Sequence, residues 1–151
     1  MHSGRDDQQW DQLIVAGLEF LIDRARLKVT SSYTELNTVL ARRTGQPGFD
    51  FVFPEQRAAM GHLLGAITRR HRSTPGQEDL MISAVVQYLN ANDAGPGFYT
   101  FAEELGRTPG ALPAERERFW SEQLTAVFTH HARTRRHRLS EPTSLSTLET
   151  S

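Results

Sequence analysis

Leu80 to Phe101 reads LMISAVVQYLNANDAGPGFYTF, and the interpretation of this stretch decides the fold. Met81-Ile82-Ser83-Ala84-Val85-Val86 is the most β-prone apolar run in the chain. A short run of that kind, bounded by turn residues, predicts a buried strand. A polar loop from Asn90 to Gly97 follows, and the stretch closes on the aromatic residues Phe98, Tyr99 and Phe101. Amphipathic helical patterns lie on both sides.

Upstream, Pro54 is suited to the first position of a helix over residues 54–70, with Met60, Leu63, Leu64 and Ile67 on its buried stripe. Gly61 and Gly65 on that helix would admit the close approach of another backbone. Before it, Phe49, Val52 and Phe53 form a short apolar link after the turn Gln46-Pro47-Gly48. Ser32 and Glu35 have capping-box spacing and open a helix that carries Leu36, Val39 and Leu40 inward and ends near Thr44-Gly45. The first helix spans residues 6–26, with Trp10, Leu13, Ile14, Gly17, Leu18, Leu21, Ile22 and Ala25 at helical spacing. Phe20 lies off that stripe and suggests a surface for a partner. Downstream, Tyr99 to Leu105 reads as a short helix, and Pro113 opens a last helix to Ala132 whose inward residues include Phe119 or Trp120, Leu124, Val127 and Phe128.

The expected fold class is therefore mainly α, about five helices with a small β element. Residues 1–5 read as a flexible start, 6–132 as one domain, and 133–151 as a basic and then Ser/Thr-rich disordered tail. A chain of 151 residues can bury a sizeable core. It has no cysteine, which removes disulfides, thiolate metal sites and cysteine nucleophiles. No stretch approaches the roughly 18 apolar residues of a membrane span, and the N-terminus lacks a signal-peptide pattern, so the expected location is cytoplasmic.

The net charge of −1 conceals an uneven distribution of cations. Every basic residue except Lys28 is arginine, and the tetrapeptide RRHR occurs at 69–72 and 135–138. Arginine binds phosphate bidentately, so Arg69, Arg70 and Arg72 are candidates to track a nucleic-acid backbone, with Tyr99 stacking on a base. The plainer alternative is a helix end that complements its dipole and an aromatic that pins a loop to the core. Histidine offers little for a metal: His130 and His131 are adjacent and diverge on a helix, and no HExxH is present. No cofactor and no catalytic residue set is predicted. Glu78, Asp79 or His71 would serve a small hydrolase or nuclease, the third reading after nucleic-acid binding and a protein-interaction or homodimer role using Phe20 and Trp120.

The order Ser32-Tyr33-Thr34-Glu35-Leu36, then Arg57-Ala58-Ala59-Met60-Gly61, then an apolar run and Gly97-Phe98-Tyr99, resembles the winged-helix DNA-binding domain of alkylguanine alkyltransferases and alkyltransferase-like proteins. The likeness covers residues 30–105. It implies a winged-helix-like fold, and DNA binding with Arg57 as a finger on the helix that enters the groove. The chain departs from the family in a longer spacer between Tyr33 and Arg57. It also has Ile82-Ser83-Ala84-Val85-Val86 where the family carries its Pro-Cys-His-Arg segment. Without the acceptor cysteine, alkyl transfer is excluded. The expectation is a non-enzymatic binding module, taking nucleic acid through Arg57, Arg69, Arg70 and Arg72.

Overall fold

The computed structural model describes residues 4–87 and 95–145, with side chains as far as Ala132. Helix α1 (Asp7–Arg26) starts at a reciprocal cap: the Asp6 carboxylate accepts from the Gln9 amide at 2.8 Å, and the Asp6 amide donates to Gln9 Oε1 at 3.0 Å. Trp10, Leu13, Ile14, Gly17, Leu21 and Ala25 are buried, as the periodicity predicts. Phe20 is buried as well, which corrects its assignment to a partner surface. The guanidinium groups of Arg24 and Arg43 lie 5.2 and 5.7 Å from its ring centroid and cover it from within the chain. Trp120, the other residue of that reading, is also buried.

Two residues of strand β1 (Ser31–Ser32) lead into α2 (Tyr33–Thr44). Ser32 Oγ accepts from the Glu35 amide at 3.0 Å, while the Glu35 carboxylate turns away to pair with Arg24 of α1. Half of the anticipated capping box thus gives way to an interhelical ion pair. The helix stops at Gly45, whose φ of 74° ends it in the left-handed region. In the link that follows, Asn37 holds Phe49 at both ends: Nδ2 donates to the Phe49 carbonyl and Oδ1 accepts from its amide, each at 2.8 Å. Arg5 reaches the same link, donating to Gln46 Oε1 at 2.8 Å and to the Pro47 carbonyl at 2.6 Å, with its guanidinium 4.4 Å above the Phe49 ring. Helix α3 (Pro54–Arg72) then begins with Pro54 in its first turn and packs on α1, where Gly17 faces Ile67.

The run Met81–Val86 is buried throughout, as expected, but most of it is not a strand. Ile82–Val85 forms a 3-10 helix, and β2 (Val86–Gln87) is two residues long, pairing parallel with β1 in the register Ser31↔Val86 and Ser32↔Gln87. The reason is the neighbourhood. Among the described residues only Ser31–Ser32 offers a strand edge, so the remaining buried backbone must be satisfied by local turns and by side chains. Helix α5 (Pro113–Leu145) supplies two of them: Gln123 Oε1 accepts from the Met81 amide at 3.0 Å, and Trp120 Nε1 donates to the Ala84 carbonyl at 2.9 Å. Its backbone is helical to Leu145, so the domain edge expected at Ala132 is not marked by a helix end.

Helix α4 spans Pro96–Glu104, three residues earlier than expected (96 against 99). Gly95 and Pro96 open that helix instead of belonging to a loop, because proline fixes φ near the helical value where no amide partner is needed. Residues 90–94 of the predicted loop lie outside the described residues. The result is a mainly helical fold, with five α-helices and one two-stranded parallel sheet among the described residues. One apolar cluster joins α1, α2, α3 and the 3-10 turn; a second joins Met81, Ala84, Phe98, Tyr99, Ala102 and Trp120.

The end of α1 predicts a stabilising change. The Lys28 amide donates to the Ala25 carbonyl at 3.0 Å and the Val29 amide to the Arg24 carbonyl at 3.1 Å, a Schellman pattern that forces Lys28 to φ 58°. A side chain in that region costs about 1–2 kcal/mol. Lys28→Gly therefore stabilises the chain by about 1 kcal/mol in denaturant unfolding. Gly17→Ala does the opposite, because its Cβ would stand 2.6 Å from Ile67 Cδ1; such overpacking costs about 1–3 kcal/mol.

Candidate functional site

The outer face of α3, the start of α2 and the start of α4 enclose an open groove. It consists of two hollows, of about 510 and 290 Å³, which share Tyr33, Gly61 and Gly97. Gly61 and Gly65 do not admit another backbone, contrary to expectation. A Cβ at Gly61 would meet nothing within 4 Å, and one at Gly65 would touch only the Phe101 ring, at 3.4 Å. Their missing side chains keep the groove deep.

One wall carries Ser83, on the 3-10 turn. It is 7% exposed, and its hydroxyl has no hydrogen-bond partner among the described residues. Buried hydroxyls are normally paired, since an unpaired one costs about 1–3 kcal/mol. In the buried strand that the sequence predicts, side chains would alternate between faces. The 3-10 turn instead brings Ser83 to the groove.

The predicted cations divide. Arg57 lines the smaller hollow and Arg69 the larger. Arg57 Nη1 donates to the carbonyls of Phe51 at 2.6 Å and Val52 at 3.3 Å, so its guanidinium is folded against the link and is not an extended finger. Arg69 lies 5.0 Å over the Phe101 ring, and its Glu104 contact is long, 3.9 Å between two well-exposed side chains. Such a pair adds little. Arg70 points the other way and binds Asp11 of α1 at 2.7 Å. Arg72 is half-buried, with Nη1 unpartnered. The side chains of 135–138, the second RRHR, lie outside the described residues.

Tyr99 is not placed to stack on a ligand. It is 3% exposed, edge-on to Phe98 and 5.1 Å beneath the Arg116 guanidinium. Position on α4, not loop membership, decides this: the residue falls on the face that meets α5. Sequence reasoning missed Tyr33 and Ser83 as groove residues. The one available signal was the small residue at position 83 among larger aliphatics, and it pointed equally to packing.

None of the residues of the hydrolase reading lines the groove. His71 is 1% exposed, and its Nε2 faces His131 Nε2 of α5 at 2.9 Å, so one imidazole donates and the other accepts. Glu78 accepts the Gly76 amide at 3.0 Å, and the Asp79 carbonyl takes Arg107 Nη1 at 3.0 Å. Among the described residues no group of three or more His, Asp or Glu is arranged to hold a metal, and no helix is long and apolar enough to cross a membrane. Burial, with the neighbouring His131 and His130 imidazoles, holds His71 down at about 3. Burial, His130 and Arg26 hold His131 at about 4.

Both histidines thus stay neutral in the folded chain and take up protons first in the unfolded chain, whose imidazoles titrate near 6.5. Their contribution is complete above that pH and is lost as pH falls from about 6.5 toward 4 and 3. Each group loses at most about 1.4 kcal/mol per pH unit in this window. Urea unfolding at pH 7.5 and 5.0 should show a drop of about 2 kcal/mol per histidine, and His131→Gln should remove part of it.

With this geometry in place, comparison with known proteins adds no neighbour: no family model, no curated protein and no solved structure matches the chain.

Proposed function

We propose that the chain is a non-enzymatic binding module that takes DNA along the groove between α3 and α4. The observation that carries this reading is the placement of Arg57 and Arg69 at the two ends of one open groove. They lie twelve residues apart on α3 (69 − 57), or about 18 Å along the axis at about 1.5 Å per residue. Arg57 has no carboxylate within ion-pair distance among the described residues, and Arg69 has only the long, exposed contact with Glu104 at 3.9 Å. Two guanidinium groups so spaced meet a phosphate backbone at two points, with counterion release supplying the affinity.

The resemblance to the alkyltransferase winged-helix domain supports the same reading. Of the residues that carry it, Ser32, Tyr33, Arg57, Ala58, Gly61 and Gly97 border this groove. A serine hydroxyl with no hydrogen-bond partner among the described residues, and so no base paired to it, stands in the segment where that family has its cysteine; the proposal is binding without transfer.

The test is fluorescence anisotropy with short single- and double-stranded DNA between 50 and 200 mM salt. Arg57→Ala and Arg69→Ala should each weaken binding across sequences and reduce the slope of log affinity against log salt by about 1. Arg70→Ala, by loosening only the Asp11 pair, should leave affinity within twofold. Unchanged affinity in the Arg57→Ala, Arg69→Ala double variant would refute the proposal.

A further inference from the structure

We infer that the link between α2 and α3 is a second contact in which Phe53, with Val52 beside it, stacks on a base of the strand held in the groove; the inference rests on the DNA-binding reading above. Val52 is 77% exposed and Phe53 48%, whereas Phe49 and Phe51 in the same link are buried and half-buried. The link therefore has an inner aromatic end, sunk in the core, and an outer apolar tip in solvent. Two adjacent large apolar side chains at a tip are costly to expose unless something covers them.

The tip is held in place before any ligand arrives. Asn37 clamps Phe49 at its root. Asp50 Oδ1 accepts the Val52 amide at 3.1 Å and the Asp50 carbonyl accepts the Phe53 amide at 3.2 Å. Arg57 Nη1 reaches from α3 to the Phe51 and Val52 carbonyls. A surface ordered in this way loses little freedom on binding.

Its neighbours choose the occupant. Phe51 and Arg57 line the smaller hollow, so the tip continues one end of the groove. The cation beneath the tip is bonded to neutral carbonyls and keeps its charge for an anion. Asp50 and Glu55 are the nearby acids; Asp50 Oδ1 accepts the Val52 amide, and neither carboxylate is within ion-pair distance of Arg57 among the described residues. An exposed aromatic beside an uncompensated guanidinium is the arrangement by which single strands are held, base on ring and phosphate on cation. Phe53 takes the stacking role that Tyr99, being buried, cannot.

The experiment uses the full chain and single-stranded DNA containing 2-aminopurine, with affinity from anisotropy and stacking from fluorescence quenching. Phe53→Ala and Phe53→Leu should each weaken binding about tenfold and relieve the quench. Phe53→Trp should retain both, and the salt slope should be unchanged because no phosphate contact is lost. If Phe53→Ala binds and quenches like the parent while Arg57→Ala, Arg69→Ala loses affinity, the stacking role is overturned and the groove reading stands. If the parent binds no DNA at 50 mM salt, both fall. If Phe53→Ala leaves DNA affinity intact but abolishes a concentration-dependent dimer mass in light scattering, the tip is a self-association surface and the inference is overturned.

Discussion

A buried peptide segment without a sheet to complete it is the constraint on which the rest of this structure depends. Met81 to Val86 lies in the centre of the molecule, yet only its end meets a strand edge. Every amide and carbonyl left over must be paired or carry a cost of roughly 1–3 kcal/mol. The 3-10 turn pairs some locally. Gln123 and Trp120 pair others from α5 and thereby fix that helix to the centre through two directional contacts instead of apolar packing alone. The buried Gln123 amide also reaches the Asp79 carbonyl, at 3.5 Å, so one side chain ties both the entrance and the first residue of the segment.

The groove follows from the same constraint. A two-residue strand followed by helix α4 leaves a space beside α3 that side chains could have filled, but α3 presents Gly61 and Gly65 there. The tight 3-10 turn carries Ser83 to the wall. The electrostatics of the face are modest. Of the four arginines singled out from the sequence, two border the groove, one is bound to Asp11 and one is half-buried. Whatever anion is accommodated meets two separated charges, not a continuous basic stripe.

Helical periodicity was legible because each helix packs one stripe against the same core, so α1, α2 and α3 could be bounded to within a few residues of their caps. The misreadings share a cause: each concerned a residue whose surroundings come from distant parts of the chain. A strand and a buried 3-10 turn have the same apolar composition, and only the supply of strand partners separates them. Phe20 departs from the helical stripe, yet Arg43 from α2 arrives to cover it. Tyr99 looked like a loop aromatic until Pro96 was seen to start the helix that turns it inward. Ser83, Tyr33 and the Val52–Phe53 tip carried no local mark of function, since exposure and hydrogen-bond vacancy arise only on folding.

The contacts of Arg5 have a consequence for how the chain can be handled. Its guanidinium spans Gln46, Pro47 and the face of Phe49, and Gln46 in turn donates to the Gln9 carbonyl at 2.9 Å. The beginning of the polypeptide thus acts as a clasp on the segment that orients one mouth of the cleft. Loss of Arg5 would unfasten that clasp and uncover the ring of Phe49, and slack introduced there would be felt more than forty residues away in sequence.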